Sequence, residues 1–174
     1  MSFFEDLSPY TYLKHPSNEY TFNVGWLDNK YPYNKGKVIR EFLDKLFSLC
    51  EISVSETRGY HECNICKNSY KGPLIICNEN KEIEVGFAEI RVFDKKSNIY
   101  SAPNLIYHYV KEHSYQPPQV FIDSVMSGVS PNSEEYYSML KKYQLDWIDW
   151  NEQFEKMKKN PKLLKILKKS GMEI

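Results

Sequence analysis

The 174 residues of this chain allow one hydrophobic core with an appended helical segment and are too few for two ordinary domains. Lys and Arg together number 23, as do Asp and Glu, so the net charge is zero, which excludes wholesale electrostatic capture of nucleic acid or of an anionic membrane. Aromatic residues make up 15%, with 14 tyrosines, a composition that favours packed amphipathic layers and contact surfaces over disorder.

The opening stretch MSFFEDLSPYTYLKHPSNEY lacks the basic and apolar segments of a secretory leader, and no later run reaches the ~20 apolar residues of a membrane span. The expected location is cytoplasmic. In a reducing compartment a structural disulfide is disfavoured, and paired cysteines turn towards metal or redox chemistry. Residues 1–36 are rich in Tyr, Pro and Asn, with YTFNVGWL as their one strand candidate. In KGKVIREFLDKLFSLCEI, residues Val38, Phe42, Leu43, Leu46, Phe47, Leu49 and Cys50 recur at helical spacing, so a helix is expected with Cys50 facing a core.

GPLIIC and KEIEVGFAEIRVF read as two strands joined by NENK, and DKKSN turns into a third short strand, IYSA. Cys77 closes the first strand and is expected to pack as a small apolar residue. SAPNLIYHYVKEHSY reads as a helix capped by Ser101 or Asn104 and ended by QPP, and PQVFIDSVMSG as a second short helix stopped at Gly128. From SPNSEEYYSMLKKY onward the pattern is helical, with Ser130 or Ser133 as cap, acids in the first turn and lysines in the last. LDWIDWNEQFEKMKKN continues with Trp147, Trp150 and Phe154 as an aromatic stripe, and PKLLKILKKSG is short, basic and amphipathic.

Cys63 and Cys66 have the Cys-x-x-Cys spacing of a knuckle turn that presents two thiolates to one ion. A structural zinc site needs four donors, and YHYVKEH supplies His108 and His113 on the helix after the hairpin, the order of a treble-clef-like site. Residues five apart stand about 140° around an ideal helix, so His113 reaches the ion only if the helix loosens or ends there. His61 is the competing fourth ligand or a group supporting the ligands from behind. The redox alternative needs the pair at a helix start, and NICKNSYKG is a poor helix former. The plain alternative is two ordinary buried cysteines.

A catalytic zinc would keep one position open for water and have a carboxylate nearby, for which Glu62, Glu89 and Glu112 qualify by type alone. HECNIC compresses the letters of the deaminase pattern into one loop of different geometry. The sequence has no phosphate loop, nucleophile elbow or His-Glu-x-x-His, and no catalytic residue is assigned.

The stretches NVGWLD at 23–28, TRGYHECNIC at 57–66, AEIRV at 88–92 and APNLIYHYVKEHSYQPPQVF at 102–121 resemble a family of uncharacterised bacterial proteins, a domain of unknown function. The resemblance spans residues 3 to about 125 and picks out Arg58, His61, Cys63, Cys66, Glu89, Arg91, His108 and His113 as its polar positions. It implies no established activity.

The expectation is therefore an α+β fold: a small antiparallel sheet with flanking helices, a zinc knuckle, and C-terminal helices. Residues 1–130 would form the zinc-stabilised domain and 131–174 a helical segment packed on it. Cys63, Cys66, His108 and His113 would hold structural Zn2+. The expected function is non-enzymatic binding of a macromolecular partner, a protein in the first instance and of immunity or antitoxin type as one concrete form, through Trp147, Trp150, Lys162 and Lys165. A zinc-dependent hydrolase or nuclease-like enzyme is one alternative. The other is a nucleic-acid-binding module acting through the lysines of residues 158–169.

Overall fold

The structure, a computed structural model, describes residues 3–14, 18–57, 59–66 and 72–145. After a 3-10 turn at Asn18–Tyr20 come strand β1 (Thr21–Asn23), helix α1 (Arg40–Glu51), and strands β2 (Leu74–Asn78), β3 (Lys81–Val85), β4 (Glu89–Phe93) and β5 (Ile99–Pro103). Helices α2 (Ile106–His113), α3 (Gln119–Ser127) and α4 (Glu134–Lys142) follow. The architecture is α+β, as the sequence indicates. Trp147, Trp150, Phe154, Lys162 and Lys165 lie outside the described residues, as does Arg58.

Helix α1 forms where the apolar period is clearest, and it buries Phe42, Leu46, Phe47, Leu49 and Cys50. The strand expected over 81–93 is in fact two, because Gly86 at φ +104 turns the chain between β3 and β4. Strands β2 and β3 form an antiparallel hairpin whose register closes at Asn78 and Lys81. Strands β4 and β5 pair antiparallel, and β1 joins β5 in parallel, giving the order β1-β5-β4. The three-stranded sheet is therefore mixed.

One face of that sheet carries Ile90, Val92, Tyr100 and Ala102, all buried. Tyr100 meets Phe121 of α3 edge-on, and Phe121 meets Phe42 of α1 in the same way, so helices and sheet share one core. The opposite face is polar at its centre, with Asn23, Ser101 and Arg91 standing side by side across the three strands and Thr21 and Glu89 near them, and apolar at one end, where Phe93 pairs with Ile99. All five polar residues are almost wholly buried. Residues 7–10 lie antiparallel along β1, with Leu7 N–H donating to Asn23 O and Tyr10 N–H to Thr21 O. Helix α4 adds Tyr136, whose hydroxyl donates to Arg91 O at 2.7 Å and whose ring packs on Phe93.

Two charges are thus held in the interior. Arg91 Nη1 lies 2.7 Å from Glu89 Oε2, Ser101 Oγ–H donates to the same oxygen at 2.6 Å, and the Tyr10 hydroxyl lies 3.0 Å from both carboxylate oxygens. The Arg91 guanidinium also sits 5.2 Å from the centre of the Tyr10 ring. Such a pair survives burial because most of its remaining donors and acceptors are also bonded, the buried Arg91 Nε being the exception.

Some local expectations need correction. Neither Ser101 nor Asn104 caps α2: Ser101 lies in β5, and the side-chain Oδ1 of Asn104 instead accepts from Gly86 N–H at 2.7 Å. Cys77 is exposed, because in the β2 alternation Ile76 turns inward and its neighbours turn out. Ser133 does cap α4, its Oγ accepting from Tyr136 N at 3.1 Å. Among the described residues no helix is long and apolar enough to cross a membrane.

Replacing Arg91 alone by Leu leaves the Glu89 carboxylate without its counter-charge and should destabilise the fold by about 3–5 kcal/mol. The double change Glu89→Leu with Arg91→Leu should recover most of that loss. Urea unfolding midpoints of the two variants check this, and a double variant no more stable than the single one would contradict it.

Candidate metal centre

Cys63 and Cys66 lie on a turn between the end of the 54–61 loop and the hairpin, and His108 and His113 lie on α2. Helix α2 stops at His113. Ser114 takes the left-handed conformation at φ +54, and both Ser114 N–H and Tyr115 N–H donate to Tyr109 O. Both bonds fall on one carbonyl, five and six residues back, a wider closure than the 6→1 and 5→2 pair of a Schellman motif. A last turn closed by i→i−5 and i→i−6 bonds is wider than the regular 3.6-residue turn, so residues five apart come nearer to one face. The helix ending that His113 requires is present.

The four ligand atoms lie within 4.8 Å of one another. Cys63 Sγ is 3.3 Å from His113 Nε2, and Cys66 Sγ is 3.3 Å from the Nε2 atoms of both His108 and His113. The two Nε2 atoms are 3.2 Å apart, with the imidazole planes nearly perpendicular at 83°. A tetrahedron with Zn–N near 2.05 Å and Zn–S near 2.3 Å has N–N edges of about 3.35 Å and N–S edges of about 3.55 Å. The observed edges fall within about 0.3 Å of those values, and every imidazole offers the same nitrogen to the centre. The residues fit a four-coordinate cation.

Protonation points the same way. Burial, helped by the neighbouring His113, depresses His108 to about 4, and burial also lowers His113, so both rings are neutral and free to donate a lone pair near pH 7. Burial lifts the Cys63 thiol to about 11. A divalent ion held there would supply the opposing charge, since a thiol that coordinates one gives up its proton.

His61 is not part of the cluster. Its backbone N–H donates to Gly86 O, and with Tyr12, Trp26, Thr57, Phe87 and Glu89 it lines a small cavity beneath the 54–61 loop. That loop runs along the start of β4, with Val54 and Glu89 exchanging backbone bonds and Thr57 N–H donating to Phe87 O. The knuckle is clasped from the other side by Asn64, whose amide donates to Asp28 Oδ2 at 2.8 Å while its carbonyl accepts from Asn29 Nδ2 at 2.9 Å. Sequence reasoning missed this clasp, although NVGWLD and HECNIC carry its residues. Glu62 is exposed and Glu112 lies on the outer side of α2, whereas Glu89 is committed to Arg91.

Two outcomes follow from this geometry. His113→Ala or Cys66→Ala should abolish metal binding, while His61→Ala should keep it, as read by metal content after gel filtration. Gly86→Ala should cost about 1–3 kcal/mol, because the added Cβ would sit at φ +104 and 2.7 Å from His61 O. Its thermal midpoint should fall, and its metal should exchange faster because the loop leading to Cys63 is displaced.

Searches among curated proteins and among solved structures gave no match. Residues 2–126 match a family described as a domain of unknown function, DUF7919, a span that includes both cysteines and both histidines and ends within α3. The match covers well over half of the chain, which therefore belongs to the DUF7919 family.

Proposed function

We propose that Cys63, Cys66, His108 and His113 bind one structural zinc ion, and that the protein is a non-enzymatic binding module for a macromolecular partner. The observation that carries the first half is the convergence of four protein donors on one point. Catalytic zinc keeps three protein ligands and an open position, whereas a full S2N2 set occupies all four. Two thiolates and two neutral imidazoles suit zinc in preference to the hard cations that favour oxygen ligands. The ion ties α2 to the knuckle and holds the 54–61 loop against β4, so its binding energy becomes folding energy.

The partner half rests on the closed coordination and on the chain's contact-prone composition. Tyr31 and Tyr60 are exposed near the knuckle, and Trp147, Trp150, Lys162 and Lys165 supply further aromatic and basic contacts by sequence. A protein partner in the bacterial cytoplasm, in the manner of an immunity or antitoxin protein, is the concrete form proposed. Residues 1–130 would be the metal-stapled domain and 131–174 a helical extension packed on it, and the burial of Tyr136 and Leu140 of α4 in the common core supports that packing.

Elemental analysis of untagged protein should give one zinc per chain, lost in Cys63→Ser, and a strong chelator should lower the thermal midpoint. Zinc-free protein that remains folded with the same midpoint would end the structural-zinc reading. For the partner, a variant with Trp147→Ala, Trp150→Ala, Lys162→Glu and Lys165→Glu should lose capture while keeping its zinc. Binding that weakens steeply with salt would point to nucleic acid instead.

A further inference from the structure

Both thiols of the centre belong to one knuckle and both imidazoles to one helix. A bond between Cys63 and Cys66 would therefore remove the two anionic ligands in a single event. It would leave two neutral imidazoles on α2, half of the set that a structural site needs. The two Sγ atoms already lie within 4.8 Å of each other. Closing to a disulfide of about 2.05 Å draws the two sulfurs together within the knuckle, the one segment that carries both.

Access favours the same pair. Cys63 and Cys66 are partly exposed, whereas Cys50 is 3% exposed and donates its S–H to Asn104 O. Cys77 is exposed, stands on the hairpin beside Glu82 and is not one of the four clustered residues. Apart from the ion, the knuckle is held by the Asn64 clasp, by the His61 to Gly86 bond, and by partial burial of Cys63 and Ile65. The interlocked aromatic contacts of α1, α3 and the sheet do not pass through it.

We propose that the Cys63 and Cys66 pair is a peroxide-responsive modification site at which disulfide formation ejects the zinc ion and frees the knuckle from α2. This rests on the zinc reading above. One thiolate attacks a peroxide oxygen and the O–O bond breaks, leaving a cysteine sulfenic acid and hydroxide. The second thiolate attacks the sulfenic sulfur, forms the S–S bond and expels a second hydroxide, and two protons from solvent convert both hydroxides to water. Two electrons pass from sulfur to peroxide, and zinc leaves as Zn2+ with its oxidation state unchanged. A dithiol reductant together with zinc reverses the change.

The test takes full-length protein whose zinc content is measured first and titrates it with hydrogen peroxide, with 4-(2-pyridylazo)resorcinol reporting free zinc. Thiol alkylation and peptide mass then locate the oxidised residues. The expected result is one zinc released for each Cys63–Cys66 disulfide formed, the same release in Cys77→Ser, and full rebinding after dithiothreitol and zinc. Zinc that stays bound while Cys77 is oxidised would overturn the switch and leave the zinc reading intact. Release accompanied by sulfinic acids in place of the disulfide, or a response abolished by Cys77→Ser, would overturn it as well. Protein without zinc before any peroxide is added would overturn both readings.

Discussion

On a regular α-helix His108 and His113 would point about 140° apart, yet their ring nitrogens stand 3.2 Å from each other. The backbone after His113 makes the difference. Tyr115 is buried, its hydroxyl donates to Asp6 at 2.8 Å, and its backbone bridges to Lys35 while Gln116 N–H donates to Asn34 O. These contacts fix the path by which the chain leaves α2, and with it the widened last turn that swings His113 towards its partners. The geometry of a four-atom cluster thus depends on a buried tyrosine two residues beyond its last member.

The buried ion pair and the metal cluster belong to one mechanical unit. The 54–61 loop is bonded to Glu89 at its start and to Gly86 at its end, where it runs into the knuckle. Glu89 is in turn fixed by Arg91, Ser101 and Tyr10. A loop without regular structure of its own is therefore gripped at one end by a desolvated salt bridge and at the other by side chains arranged for a cation. Interior charges of this kind add little net stability over apolar residues of the same volume, but they admit few alternative arrangements of the chain around them.

How much of this was legible in the sequence depended on how far apart the interacting residues lie. The 3.6-residue period of Phe42, Leu46 and Cys50 placed α1, and the NENK turn placed the β2–β3 hairpin, because both patterns are local. The Cys-x-x-Cys pair and the two histidines were readable because metal geometry restricts spacing. The parallel pairing of β1 with β5 was not readable, since neither strand encodes its neighbour. Glu89 and Arg91 alternate with Ile90 and Val92 as though facing water. Their burial follows from Tyr10 and Tyr136, which arrive from distant parts of the chain. Exposure of Cys77 escaped for a similar reason, because period-two alternation does not say which phase faces inward.

The parallel pairing has a consequence for synthesis on the ribosome. Thr21 pairs with Ile99, so β1 is translated 78 residues before the strand that receives it (99 − 21). At about 5–20 residues per second it waits roughly 4–16 s for that strand to be made, and longer for the strand to clear the exit tunnel. During that interval Phe22, Val24 and Trp26, which end in or against the core, have no sheet to join. Strand β1 is thus made long before it can be placed, and until β5 arrives Phe22, Val24 and Trp26 are apolar surface that a chaperone could bind.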